Sequence, residues 1–243
     1  MYQMVSLIPA RGGSERIQRK NIRMMAGKPM LAWSIEASQQ SKYISRTFVS
    51  TEDPEIKRVA LSYGADVIDR PQRYATDNNY ELLGIFQQFK EYLWDIWYLP
   101  DFLCFMYPTS PLRTAKQIDE AYELMIKKNC NRVYSAYKVD EGFFKERWII
   151  NEKGRAEHEE EYTQEEKHLR RLKQKFQGDF YIHTNDVLIM RLEEALPYTN
   201  INYSDLALYE IDKSEVIDVN TEGEFQLAEL VLERRNYDNR KLY

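Results

Sequence analysis

The chain is poor in several features that would assign it quickly. Two cysteines, Cys104 and Cys130, in 243 residues are too few for a disulfide scaffold. Both stand in apolar segments, which suits reduced and buried thiols. No stretch reaches the ~20 consecutive apolar residues that a membrane span needs, and Met1 to Ala10 lacks the pattern of a cleavable leader. These absences predict a cytoplasmic protein with no membrane partner. An excess of positive charge is also missing: 34 Lys and Arg face 39 Asp and Glu, for a net charge of −5. Non-specific binding of nucleic acid by bulk charge is therefore excluded. The three histidines, His158, His168 and His183, lack metal-ligand spacing, and no Ser–His–Asp or Cys–His pairing can be argued. No repeat and no low-complexity linker breaks the chain.

What is present is an ordinary globular composition, 43% hydrophobic and 30% charged, with enough length for a full core. Over the first 136 residues, short apolar runs alternate with helical stretches. Strands are expected at Met4–Ala10, Thr47–Ser50, Ala65–Ile68, Phe102–Met106 and Arg132–Ala136. Helices are expected at Met30–Gln40, Pro54–Tyr63, Tyr80–Leu93 and Ala115–Ile126. Asp53 can cap the second helix and Pro54 suits its first position. Phe102–Met106 is nearly all apolar, as a strand covered on both faces should be. This alternation predicts a mostly parallel sheet with helices on both faces.

The pattern then changes. Residues 151–178 hold seven acids and seven Lys or Arg with few apolar positions. They read either as a solvated helix or hairpin, or as an arm that reaches a partner subunit. Regular structure is expected to resume at Phe180–Met190, with a turn of helix at Glu193–Leu196. Short strands at Leu206–Ile211 and Val216–Val219 and a closing helix at Glu222–Arg235 complete the expected elements.

Three segments could carry chemistry. The loop 11–23 (RGGSERIQRKNIR) follows the first strand and holds Arg11, Arg16, Arg19, Lys20 and Arg23 against one acid, Glu15. Gly12 and Gly13 leave room for backbone N–H groups to line an anion nest, and Ser14 adds a hydroxyl. Loops at the carboxyl ends of parallel strands are where such sheets bind ligands, so a polyphosphate fits. A basic surface loop with a turn is the alternative. Neither G-x-x-x-x-G-K-[ST] nor G-x-G-x-x-G is present. The second segment, Tyr107–Arg113 (YPTSPLR), holds Thr109 and Ser110 between Pro108 and Pro111, which fix the backbone, with Arg113 just beyond; it reads as a binding turn or as a turn and helix cap. In the third, Asp218 and Asn220 alternate so that both side chains point the same way. They could hold Mg²⁺ beside substrate phosphates. Asn220 or Thr221 could equally cap a helix with Glu224 completing the box, and the two readings are compatible.

Six segments, IPARGGSERIQRKNI, GKPMLAWSIEAS, STEDPEIKRVALSYGADV, RPQRYATD, YPTSPLRTAKQIDEA and IDVNTEGEFQLAE, occur in the order of the motifs of the acylneuraminate (CMP-sialic acid synthetase) type cytidylyltransferases, and the chain resembles that family. The likeness is close over about 1–136, weak over 137–178 and moderate beyond 180. It implies an α/β, Rossmann-like three-layer nucleotidyltransferase fold in a single domain, 1–243, with a protruding dimerisation arm at about 138–178. It also implies CTP-dependent transfer of CMP to the anomeric hydroxyl of an acidic keto-sugar, with release of pyrophosphate. Arg11, Gly12, Gly13, Ser14, Arg16 and Lys20 would hold the triphosphate. Asn21 and Arg70 would contact the cytidine. Asp218, with Asn220, would bind Mg²⁺. Tyr107, Thr109, Ser110 and Arg113 would line the sugar side, and Arg11, Lys20 and Asp218 would carry the catalysis.

Four positions depart from the family pattern. Glu15 stands where a lysine is usual, with Arg16 next to it to supply the charge. Tyr107 replaces a glutamine that resembles a sugar contact. Asn220 replaces the second aspartate of a pair, and Asn185-Asp186-Val187 replaces Asn-Gly-Ala. The sugar-side changes suggest an acceptor other than ordinary sialic acid. Glu15 and Asn220 motivate a second reading, a nucleotide-binding subunit without transfer activity that acts in regulation or assembly. A third is a nucleotidyltransferase for a different acid acceptor.

Overall fold

The computed structural model describes residues 2–14, 16–74, 80–139, 148–150, 156–158, 181–195 and 205–240. Glu15, His168 and most of the charged stretch 151–178 lie outside the described residues. By compactness the chain forms two units, one of residues 1–136 with 183–243 and one of residues 137–182.

In the larger unit, β1 (Met4–Pro9) leads through a single 3-10 turn at Lys20–Ile22 to a hairpin, β2 (Met24–Met25) and β3 (Lys28–Pro29). The hairpin turns on Ala26 (φ 49°) and Gly27 (φ 92°), the left-handed pair that a two-residue connection demands. Then follow α1 (Met30–Gln39), β4 (Ile44–Thr51), α2 (Pro54–Ser62), β5 (Asp66–Asp69), α3 (Tyr80–Asp95), β6 (Phe102–Phe105), α4 (Ala115–Lys128) and β7 (Arg132–Lys138). In the smaller unit, β8 (Trp148–Ile150) pairs antiparallel with β9 (Ala156–His158). The chain continues through β10 (Tyr181–Arg191), a 3-10 turn at Leu192–Ala195, β11 (Leu206–Glu210) and α5 (Glu222–Arg240).

The helix ends follow local chemistry. The Asp53 carboxylate accepts from the N–H groups of Glu55 and Ile56, both at 2.9 Å, with Pro54 at the first helical position of α2. Thr114 and Gln117 form a reciprocal capping box on α4. Thr221 and Glu224 do the same at the start of α5, where Glu224 also accepts from the Asn220 N–H.

Seven strands form one sheet in the order β11-β7-β10-β6-β1-β4-β5. β1 runs parallel to both β4 and β6, β4 is parallel to β5, and β10 is antiparallel to β6. Alternate residues of each central strand enter opposite cores. Met4, Ile8, Phe102, Cys104, Val187 and Ile189 pack under α1, α2 and α4. Val5, Leu7, Leu103, Phe105, Leu188 and Met190 pack under α3 with Phe86 and Phe89. Helices therefore cover both faces, as the alternation predicts. A third cluster, including Ile17, Met25, Met30, Phe225 and Leu232, fixes α5 against the hairpin region.

The expected strand at Val216–Val219 is corrected. This segment is extended but has no ladder. The Val219 N–H donates to the Thr109 carbonyl at 2.8 Å, and the Val219 carbonyl accepts from the Lys20 ammonium at 2.7 Å. A loop and a side chain take the bonds that a neighbouring strand would need.

The chain builds β1, β4 and β5 outward in one direction, then crosses back to place β6 on the other side of β1. Strand order reverses between β1 and β6, and a crevice at their carboxyl ends is where such a sheet accommodates a ligand.

Candidate active site

A cleft of about 470 Å³ opens at that reversal. Its basic wall comes from the loop after β1: Arg11, Ser14, Arg16, Lys20 and Asn21 all line it. Lys20 is half-buried, and burial pulls its pKa below the usual lysine value; Asp218 opposes the shift, while Arg16 and Arg11 add to it. Cations held near one another in a partly dry cleft repel until an anion arrives. The Asn21 amide donates to the Arg11 carbonyl at 2.9 Å, while its Oδ1 is buried with no partner among the described residues. Arg70 also lines the cleft, and the Ser50 carbonyl and hydroxyl fix its guanidinium at 2.7 and 3.2 Å.

The two other cations of the loop face away. Arg19, in the left-handed conformation (φ 54°), grips Asp53 through both guanidinium nitrogens and reaches Glu55. Arg23 forms a two-pronged pair with Glu222, 2.6 Å for each bond, and lies over the Phe225 ring. The glycine expectation is also corrected. Gly12 directs its N–H to Glu52 Oε1 at 2.6 Å, not into the cleft. What requires glycine there is contact: a Cβ would stand 2.4 Å from Asp53 Oδ2. Gly13 is not a lining residue either, and a Cβ on it would meet nothing within 4 Å.

The turn after β6 divides in two. Tyr107, Pro108 and Thr109 line the cleft opposite the basic loop, and the Tyr107 ring stands edge-on to Phe105. Ser110 and Arg113, expected on the sugar side, do not line it. Arg113 is 4% exposed. Its guanidinium donates to the carbonyls of Tyr107 (2.8 Å), Asn185 (3.1 Å) and Asp186 and to the Ser34 hydroxyl (3.0 Å). Each of its three nitrogens donates to the protein, so the residue braces the floor of the site. Ser110 is 1% exposed, with a hydroxyl that has no partner among the described residues. The apolar run that makes β6 central carries its C-terminal turn back into the core at these two positions.

Asp218 and Asn220 both line the cleft, as their alternation predicts. Asp218 Oδ2 accepts from the amides of Asn220 (2.9 Å) and Asn185 (3.4 Å), and Oδ1 is buried without a partner among the described residues. No group of three or more His, Cys, Asp or Glu side chains able to hold a metal ion occurs among the described residues. One carboxylate with neighbouring amides is a hard, oxygen-donor set too small to cage an ion alone. It suits Mg²⁺, which keeps waters and shares its shell with substrate phosphates.

Several lining residues lie outside the site residues expected from sequence. Asn185 keeps the asparagine of the family's Asn-Gly-Ala motif, and its place at the cleft shows in the bond from its amide to Asp218. Leu82 and Ile85 of α3 form an apolar stretch of the wall, but their helical spacing is that of any core-facing stripe.

The architecture and the cleft define a nucleotide-binding α/β protein with a basic loop at the strand reversal. The chain belongs to the cytidylyltransferase family, whose model matches residues 5–201, and it is thus a nucleotidyltransferase. It is 27% identical over 235 residues to the pseudaminic acid cytidylyltransferase of Campylobacter jejuni, which covers 93% of this chain and 94% of that protein. It is 36% identical over 133 residues to N-acylneuraminate cytidylyltransferase A of Danio rerio, covering 55% of this chain and 30% of the relative. The fold resembles a solved CMP:2-keto-3-deoxy-manno-octonic acid synthetase complexed with CTP, with a TM-score of 0.65 at 13% identity, over 96% of this chain and 99% of that one. The family match and the sequence relatives support the resemblance of the motifs, and the solved structure supports the fold. Among the described residues, no helix is long and apolar enough to cross a membrane.

Proposed function

We propose that the chain is a Mg²⁺-dependent cytidylyltransferase that couples CMP to a sialic-acid-like nonulosonate. The observation that carries this is the convergence of Arg11, Arg16 and Lys20 on one cleft that faces Tyr107 and Thr109 on one side and Asp218 on another. The full-length likeness to a pseudaminic acid cytidylyltransferase supports an acidic nine-carbon acceptor.

In this reading the three cations and Ser14 hold the triphosphate of CTP. The unpartnered Asn21 Oδ1 and the fixed Arg70 guanidinium face the cytidine. Tyr107 and Thr109 orient the sugar. Its anomeric hydroxyl oxygen forms a bond to the α-phosphorus and gives up its proton to solvent, while the bond from that phosphorus to the bridging oxygen breaks and the electron pair leaves with pyrophosphate. Little covalent work falls to the protein; placement and neutralisation of charge do most of it. Asp218, with Asn220 beside it, would hold Mg²⁺, which when bound offsets charge on phosphate oxygens. Lys20 and the two arginines favour the transition state because charge accumulates on the leaving pyrophosphate next to them.

Pyrophosphate release from CTP against a panel of nonulosonic and octulosonic acids tests this. Release is expected only with a nonulosonate and Mg²⁺; no release with any member of the panel would sink the reading. The chain would act in the cytoplasm as a single-domain subunit of a homodimer, with 138–178 as the arm. Sedimentation at micromolar concentration should show twice the 29.1 kDa chain mass; a single-chain species alone would remove the dimer.

A further inference from the structure

The basic loop carries five cations against one acid, yet those cations divide cleanly between cleft and exterior. Both ends of the dividing stretch are anchored at one acidic corner just beyond β4. At the near end, the Gly12 N–H donates to Glu52 Oε1, and the Gly12 Cα faces Asp53 so closely that no side chain fits between them. At the far end, Arg19 places one guanidinium nitrogen on each Asp53 oxygen and extends to Glu55. Asp53 is itself fixed, since Oδ1 also caps α2. Arg19 adopts a left-handed backbone to reach it, a conformation disfavoured for a residue with a side chain. Arg11 precedes the first anchor, Lys20 follows the second, and Arg16 lies between them. Once Gly12 and Arg19 are pinned, the directions of these three cations are set before any nucleotide binds.

From this geometry we infer that Asp53, supported by Glu52, is a positioning residue for nucleotide binding: it holds the basic loop by Gly12 and Arg19 so that Arg11, Arg16 and Lys20 face the phosphates. The inference rests on the proposal that the cleft takes CTP. Neither Glu52 nor Asp53 is among the residues that line the cleft, so the effect would come through the shape of the loop. Pre-organised charge is worth more than mobile charge because no reorganisation is needed on binding.

The test is titration calorimetry of the full chain with CTP and Mg²⁺, together with steady-state pyrophosphate release. Asp53→Asn keeps an oxygen for the α2 cap, since Asn and Asp cap about equally, but turns an N–H toward Arg19. It is expected to raise the CTP dissociation constant and KM by about tenfold or more, with kcat at saturating CTP within about threefold. Arg19→Lys leaves Asp53 free to cap α2 and removes the fork; it should act in the same direction, and it carries the test if Asp53→Asn does not fold. Glu52→Ala should weaken CTP binding, and Glu52→Gln, which keeps an acceptor for the Gly12 N–H, should restore most of it. Wild-type binding with unaltered CTP affinity in Asp53→Asn and Arg19→Lys overturns the inference, even if their melting temperatures fall. A wild type that binds no CTP overturns the proposed function and this inference with it.

Discussion

The turns after β1 and β6 leave neighbouring parallel strands in the same direction, and both carry arginine, yet they spend that charge differently. Behind β1, the protein satisfies two cations with carboxylates, Arg19 with Asp53 and Arg23 with Glu222, and leaves Arg11, Arg16 and Lys20 at the cleft. Behind β6, it surrounds Arg113 with three carbonyls and a hydroxyl and turns the residue into a brace. Loop composition is similar in kind; the difference lies in which acceptors the rest of the fold brings within reach. Which acceptors the fold brings within reach thus decides whether a loop arginine lines the cleft, as Arg11 and Arg16 do, or braces the protein, as Arg113 does.

Substitutions at the two turns should separate along the same line. Lys20→Ala is expected to cause the largest functional loss, about 10²–10³-fold or more in pyrophosphate release, with little change in stability because the side chain is only half-buried. Turnover at the wild-type rate would mean that the loop does not hold phosphate. Arg113→Ala should reverse the ranking: buried acceptors lose their donors, and urea unfolding should show a loss of about 3–5 kcal/mol. A variant with wild-type stability and only a raised acceptor KM would return Arg113 to the sugar side.

Asn220→Asp sharpens the proposed metal end. A second carboxylate beside Asp218 should lower the Mg²⁺ concentration for half-maximal activity several-fold, since a charged oxygen is a stronger ligand for this ion. A higher requirement would assign the amide another task. The acidic corner has a pH signature as well. Arg19 and the α2 cap hold the Asp53 carboxyl near 2, below its ordinary 3.8. Its contribution to stability is therefore complete above about pH 4–5 and lost as the pH falls through the folded value. The stability gap between wild type and Asp53→Asn should close between pH 5 and about pH 2 on acid titration; a gap constant over that range would show that the ion pair is idle. The smallest expected effect lies in the hairpin. Ala26→Asn, at φ 49°, should raise stability by roughly 0.5–1 kcal/mol, because Asn tolerates the left-handed region and Asn-Gly is the favoured two-residue turn. A lower melting temperature would mean that the Ala26 N–H bond to Glu229 is disturbed.

Much of the fold was legible because it rests on local patterning. The apolar run at Phe102–Met106, the Asp53-Pro54 helix start and the Thr221–Glu224 cap each contain their own explanation. The β2–β3 hairpin was not, since Ala26-Gly27 lacks the asparagine that usually marks such a turn. Val216–Val219 looked like a strand because its alternation is real, but pairing depends on a neighbour, and its neighbour is a loop. At the site, Arg11, Ser14, Arg16, Lys20, Asn21, Arg70, Tyr107, Thr109, Asp218 and Asn220 all meet in one cleft. Ser110, Arg113 and the glycines do not, Leu82 and Ile85 join without a signal in the sequence, and Asn185 joins from the motif at Asn185-Asp186-Val187.

By itself the sequence determined the order of the seven strands of the large sheet and of its helices, the placement of a basic loop at a strand's carboxyl end and the resemblance in motifs, all of which depend on neighbours within a few positions or on motif order. Only the tertiary structure decided which cations line the cleft and which turn away from it. That choice depends on carboxylates and carbonyls tens to hundreds of residues away, Asp53 for Arg19, Asn185 for Arg113 and Glu222 for Arg23. Electrostatics and hydrogen bonding act across space, at distances that chain separation does not reveal.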